Sequence, residues 1–189
     1  MAEHRPSIDR HLLGMGLFIS SEALFFLGLI AAYVLYRGQA LAGPGAVPLD
    51  IPRTALFTGF LLASSATVQL AARRLRADDR RGCQGWLLAT VLCGTVFLAG
   101  QATEYARLLH ERIAPSHSLA ATTFFTLTGF HGLHVLVGLL ALLILLGLAL
   151  AGDVTARRRS GLEAISLYWH FVDGVWVAVF SVVYLWTLL

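Results

Sequence analysis

Apolar residues run along this chain in five blocks, at about 12–36, 53–72, 84–107, 119–151 and 163–188, and the stretches between them carry four of the five prolines and most of the arginines. Each block meets or exceeds the roughly 20 residues that a helix needs to cross about 30 Å of hydrocarbon. The pattern predicts an all-α membrane protein, a bundle of five transmembrane helices forming one domain over residues 1–189. Between the first two blocks, GQALAGPGAVPLDIP holds three prolines and three glycines and is expected not to be regular helix. RRLRADDRRG and GDVTARRRSG are charged connections, and HERIAPSHS ends on serines placed to cap the helix that follows. The fourth block, at roughly 33 residues or about 50 Å as helix, is longer than the hydrocarbon and predicts a helix that tilts or projects.

With 57% hydrophobic and 13% charged residues, the blocks leave no room for a soluble catalytic domain. All 14 basic residues are arginine. Their loop clustering is a feature of membrane topology rather than of a nucleic-acid surface, so no nucleic acid is expected among the partners. An N-terminus on the cytoplasmic side places ten arginines (5, 10, 73, 74, 76, 80, 81, 157, 158, 159) inside and four (37, 53, 107, 112) outside. That asymmetry predicts N-terminus in and C-terminus out. MAEHRPSIDRHLL shows no apolar core followed by a small-residue cleavage site, so the first span is expected to act as an uncleaved insertion signal. Cys83 and Cys93, about 15 Å apart along one helix, are too distant for a disulfide and read as packing residues.

The informative residues are those that an apolar block should not contain. Ionised groups cost roughly 2.5–3.5 kcal/mol at a helix centre and persist only when they face protein, water or a ligand. Glu22 lies about ten residues into the first span beside Ser20 and Ser21, and Gly14, Ser21 and Gly28 mark a small-residue stripe suited to close helix contact. A neutral carboxyl bonded inside the bundle and a proton-relay carboxyl are both open to Glu22. His131 and His134 share a helix side with Thr128 and Gly138, and Glu163, Ser166, His170, Asp173, Ser181 and Tyr184 form a polar stripe on the last span. Histidine is the commonest metal ligand, so a metal or haem site is one reading. No strict ligand motif such as HExxH is present, which favours hydrogen bonding between helices. Glu104, Tyr105 and Arg107 are expected to form a snorkelling cluster at the outer interface, with Trp86, Trp169, Trp186, Tyr33, Tyr36 and Tyr184 as belt candidates. Leu139, Leu142, Leu143 and Leu146 are expected to face lipid, and the polar faces of the first, fourth and fifth spans to face protein or a lipid-filled cleft.

Four ordered blocks carry a family resemblance: FISSEALFFLGLIAAYVLYR, QATEYARLLHE, FFTLTGFHGLHVLVG and YWHFVDGVWVAVFSVVYLW. Over almost its whole length the chain resembles subunit III of the haem–copper respiratory oxidases, in the shorter bacterial form with five helices. The resemblance implies that Glu22 matches the family's buried glutamate. It implies likewise that Glu104, His131, His134, His170 and Asp173 occupy its characteristic polar positions. Glu22, His131, His134, His170 and Asp173 are then candidates for support of proton uptake. Glu104, Tyr105, Arg107 and Glu163 are candidates for an interface or lipid cleft, and no residue is expected to be catalytic or to ligate metal. The resemblance further implies a non-catalytic subunit in the bacterial plasma membrane that holds structural phospholipid, with haem and copper in partner subunits. Oxidase subunit I would be the direct partner, with subunit II, a small subunit IV or a respiratory supercomplex beyond it. Quinol oxidases and nitric oxide reductases have related subunits of this pattern. A free-standing proton-coupled transporter and a haem carrier are the readings of another class; the transporter would call for a broken helix or inverted repeat, and neither is visible.

Overall fold

Hydrocarbon offers no partner to a backbone N–H or C=O, so an apolar block must satisfy its own peptide groups as helix. The computed structural model describes residues 10–40, 49–116, 118–155 and 160–188. It contains α1 (Arg10–Ala40), α2 (Ile51–Arg76), α3 (Arg80–His110), α4 (Leu119–Leu150) and α5 (Ser160–Val183), closed by a 3₁₀ turn at Leu185–Leu188. All five helices are long and apolar enough to cross a membrane. No strand occurs among the described residues.

The helices run past the apolar blocks because charged residues at a membrane exit can continue a helix into water. α2 continues to Arg76, with Arg73, Arg74 and Arg76 in its last turn, where cations complement the helix dipole. Only three residues then separate it from α3: Asp78 takes a left-handed backbone (φ 58°) and Asp79 caps α3 by accepting from the Gly82 N–H at 2.9 Å. Pro52 and Gly38, expected in a non-helical connection, are helical. Pro52 sits in the first turn of α2, where its missing N–H costs nothing, behind an Asp50 cap that accepts from the Arg53 N–H at 3.1 Å. Ser118 caps α4 through the Ala121 N–H at 3.0 Å, as the serines before that block predict. α4 is 32 residues, about 48 Å long.

α2 and α3 form the most extensive helix pair, α4 packs on α3, and α5 packs on α4 and returns to α2. α1 lies against α4 and α5 at the edge, with 11% of its apolar window buried, compared with 33–39% in the other four helices. Its small-residue stripe is not a close helix contact within this chain: a methyl added at Gly14 or Gly28 would meet nothing within 4 Å, and Ser21 is exposed. The core is centred on Trp169, which is fully buried rather than a belt residue. Its indole lies between Gly94 of α3 and Gly138 of α4, where an added Cβ would come within 3.0 Å and 2.8 Å of the ring. Its N–H donates to Ser64 Oγ of α2 at 2.8 Å. Two glycines and a serine are therefore what lets a tryptophan occupy the junction of three helices.

The lipid-facing assignment on α4 is corrected at three of four positions. Leu139, Leu142 and Leu146 are buried, and only Leu143 is exposed. They belong to the stripe of Val135, Gly138 and Leu142 that faces the core, whereas Leu133, Leu136, Leu140 and Ile144 face outward. A helix apolar on every side shows no such preference in its sequence.

Candidate functional site

Among the described residues, the ionisable groups of the spans gather at three places, apart from the Trp169–Ser64, Trp176–Thr58 and Thr67–Thr90 pairs.

The first joins α1 to α4. His134 Nε2 lies 2.9 Å from Glu22 Oε2, and His134 Nδ1 lies 2.7 Å from the Phe130 carbonyl one turn earlier. A carbonyl can only accept, so Nδ1 carries a proton. If the ring is neutral, Nε2 is an acceptor and Glu22 must donate as the acid; if the ring is an imidazolium, Glu22 is the carboxylate. Either way one proton lies between the two side chains and the pair is neutral overall. Phe26 packs edge-on against the His134 ring at 4.9 Å, and Tyr168 of α5 donates to the His134 carbonyl at 3.1 Å. Glu22 is half-buried, with 22% of its side chain exposed, at the edge of the bundle rather than sealed within it.

His131, three residues earlier, turns into the core instead. It is fully buried and stacked on Trp176 at 4.7 Å, with Phe97 edge-on at 6.0 Å. Neither of its ring nitrogens has a hydrogen-bond partner among the described residues. The expected interhelical hydrogen bond is absent there, and aromatic packing holds the ring. Trp176 itself donates to Thr58 Oγ1 of α2 at 2.9 Å, and the Thr58 hydroxyl donates to the Thr54 carbonyl at 2.8 Å.

The second group joins α5 to α2. Ser65 Oγ lies 2.9 Å from His170 Nδ1 and donates to Asp173 Oδ2. Asp173 is 4% exposed, and its other oxygen has no partner among the described residues. The polar stripe predicted on α5 thus divides: Asp173 and Tyr184 are buried, whereas Ser181 is exposed and donates to its own Val177 carbonyl at 2.7 Å.

The third group lies toward the C-terminal end of α3. Glu104 is buried at 5% exposure and accepts two bonds from the Arg107 guanidinium, which also donates to Glu111 at 3.1 Å. The cluster therefore does not snorkel as a unit: Glu104 turns inward while Arg107 reaches back to it. Tyr105 shares a 2.6 Å hydrogen bond with Thr128 of α4, and Gln101 donates to the Thr128 carbonyl at 2.7 Å. Glu163, at the start of α5, lies 3.7 Å from Arg76 Nε.

Sequence reasoning missed the partners on α2 and α3: Thr58, Ser64, Ser65 and Gln101. The signal was present as small hydroxyl residues on the face of α2 that also carries Thr54, Leu61 and Val68, which is its buried face. Among the described residues no three His, Cys, Asp or Glu side chains gather as a metal site would require.

Five apolar helices around a largely apolar core that also holds hydrogen-bonded polar groups define a multi-pass helical membrane protein. A family model described as cytochrome c oxidase subunit III matches residues 1–188. The chain is 38% identical over 185 residues to the cytochrome c oxidase subunit 3 of Synechocystis sp., covering 96% of this chain and 78% of that one. It is 37% identical over 174 residues to a probable cytochrome c oxidase subunit 3 of Nocardia farcinica (91% and 86% covered). It is 34% identical over 175 residues to the cytochrome bo(3) ubiquinol oxidase subunit 3 of Pseudomonas aeruginosa (92% and 84% covered). The chain belongs to the cytochrome c oxidase subunit III family. It is accordingly a subunit of a haem–copper oxidase complex, associated with the other oxidase subunits, and a multi-pass protein of the bacterial plasma membrane.

Proposed function

We propose that the chain is the non-redox subunit III of a proton-pumping terminal oxidase that passes electrons from cytochrome c to oxygen. In this reading it lies against subunit I, with subunit II, and a small subunit IV or a supercomplex, as further neighbours. It supports assembly, proton uptake and stability during turnover. The observation that supports a chain without a redox centre is that its span histidines lie in separate contacts, and among the described residues no three His, Cys, Asp or Glu side chains gather as a ligand set. His134 bonds to Glu22 and Phe130, His170 to Ser65, and His131 is stacked on Trp176. Cytochrome c as the donor follows the names of the Synechocystis and Nocardia relatives; the Pseudomonas relative makes quinol the second reading.

Structural phospholipid belongs to the same proposal. A groove of about 320 Å³ between α1 and α5, walled by Ala23, Phe26, Leu27, Phe171, Val175 and Ala178, is apolar and suits an acyl chain. Arginines at the helix ends would meet the headgroup. The proposed orientation has the α2–α3 and α4–α5 connections in the cytoplasm, supported by the arginine count.

Affinity isolation of the tagged chain in mild detergent tests the whole reading. The expected result is a complex that contains haem–copper subunits and keeps its full haem spectrum after this chain is stripped away. A chain that isolates alone with stoichiometric iron or copper would overturn it.

A further inference from the structure

Between the C-terminal end of α2 and the N-terminal end of α5 lies an open cleft of about 350 Å³, lined by Gln69, Arg73, Arg76, Glu163, Ser166 and His170. At about 30 Å³ per molecule it has room for several waters, and its walls supply polar partners for them. His170 forms part of the cleft wall, and its Nδ1 is turned inward to Ser65 of α2. Its Nε2 bonds to no described residue. One step further in, Ser65 reaches Asp173, which is sealed from solvent and has one oxygen unpartnered. A water-sized, polar entrance, an imidazole with one nitrogen directed inward, a hydroxyl and a buried carboxyl thus follow one another without a gap.

We propose that His170, Ser65 and Asp173 form a proton relay that loads the buried Asp173 carboxylate from the cleft, which makes this flank of the subunit a proton-holding site. In the starting arrangement His170 Nδ1–H donates to Ser65 Oγ, and the Ser65 hydroxyl donates to the Asp173 carboxylate. A proton from water in the cleft binds His170 Nε2. The Nδ1 proton passes to Ser65 Oγ while the Ser65 proton passes to Asp173 Oδ2. The ring is left as the neutral Nε2–H tautomer, the serine hydroxyl now points at Nδ1, and Asp173 is an uncharged acid. One proton enters, one O–H bond forms at Asp173, and no electron moves. Reversal returns the proton to the cleft.

The hydroxyl is essential because it can accept and donate at once, the property a relay member needs. Among the residues whose side chains are described, the charged and titratable groups on helices that pack against α5 are Glu22, Tyr33 and Tyr36 of α1, Arg53, Arg73, Arg74 and Arg76 of α2, and His131 and His134 of α4. On α5 itself they are Glu163, Tyr168 and His170. Among described residues only Ser65 bonds to Asp173, so the serine is the route by which the carboxyl exchanges its proton. Arg73, Arg76 and Glu163 line the mouth and set the field there. This site lies apart from the Glu22–His134 pair and goes beyond the assignment of the chain to an oxidase, because its readout needs no turnover.

The test is an isotope-edited infrared experiment on the purified complex, with the haem spectrum as the check on assembly. ¹³C-carboxyl aspartate and an Asp173→Asn control identify the Asp173 band, and an acid pH jump follows its appearance. The relay predicts that Ser65→Ala slows protonation of Asp173 by roughly 10²-fold, the low end for positioned proton transfer, while Ser65→Thr, which keeps the hydroxyl, retains the wild-type rate. His170→Gln is expected to slow it similarly with Ser65 intact, which covers the case in which Ser65→Ala does not assemble. An Asp173 band that forms at the same rate in Ser65→Ala or His170→Gln, or that never changes with pH, would overturn the proposal.

Discussion

The contact between Glu22 and His134 can be tested by asking what remains when each side is removed. Among its described side chains α1 fully buries the apolar Phe26 and Tyr33 alone, with Met15, Leu29 and Ile30 packed partly against the core, so this polar contact is a sizeable part of its attachment. Hydrogen bonds between membrane helices average about 0.6 kcal/mol and reach about 1.7, while those to charged groups in proteins are worth about 1.5–3. A neutral pair with an exposed side, 14% at His134 and 22% at Glu22, belongs near the upper membrane value, about 1–2 kcal/mol. Glu22→Gln is expected to cost less than about 1 kcal/mol, because the amide N–H can donate to Nε2 while Nδ1–H stays on Phe130. His134→Leu leaves a carboxyl stranded in apolar surroundings and is expected to cost about 1–3 kcal/mol. Glu22→Lys should be worse than either, since it puts an uncompensated cation in apolar surroundings. The double variant Glu22→Leu/His134→Leu removes both partners and should recover most of that loss. The assay is the temperature at which this chain is lost from the detergent-solubilised oxidase, read by native gel. Should the double variant be as unstable as the two single variants summed, the two side chains are not coupled and the shared-proton reading fails.

The remaining predictions concern the tryptophan core. Gly138→Ala places a methyl 2.8 Å from the Trp169 ring, which cannot retreat because Gly94 and Ser64 hold its other contacts. The expected loss is about 1–3 kcal/mol, seen as earlier thermal loss of the subunit, and an unchanged midpoint would show that the indole can move. Thr58→Val keeps the shape but takes away the acceptor of the buried Trp176 N–H. It should cost about 1–3 kcal/mol and shift the Trp176 indole N–H resonance toward that of an unbonded ring; a stable variant with the resonance unmoved would contradict the assignment.

The number and approximate limits of the helices were legible because bilayer thickness and the need to satisfy every peptide group leave an apolar block no other outcome. The inward location of His131 and Asp173 was legible for a related reason, the cost of a polar group in lipid. What was not legible is which polar group meets which. Glu22 to His134 and Ser65 to Asp173 are 112 and 108 residues apart in sequence, and their pairing follows from the crossing of helices. Glu104 was misplaced because Arg107, one turn on, folds back to it and makes an inward carboxylate tolerable.

α4 shows the same boundary most sharply. Its C-terminal half is almost entirely apolar, so a leucine that packs and a leucine that meets lipid look alike in sequence. Leu142 and Leu143 are adjacent, yet the first is fully buried and the second 44% exposed. Truncating a packed leucine leaves a cavity that rigid neighbours fill only in part, at about 2–5 kcal/mol for Leu→Ala. Truncating one that faces acyl chains leaves a gap that fluid lipid fills, so the protein loses little. Leu142→Ala is therefore expected to lower the temperature at which the subunit leaves the complex well beyond the effect of Leu143→Ala. The comparison is robust because residue type, helix and depth are nearly the same in both variants, leaving only the direction of the side chain. Equal losses at the two positions would mean that a partner subunit packs on Leu143, or that α4 is rotated from the orientation described, and a larger loss at Leu143 would require the rotation.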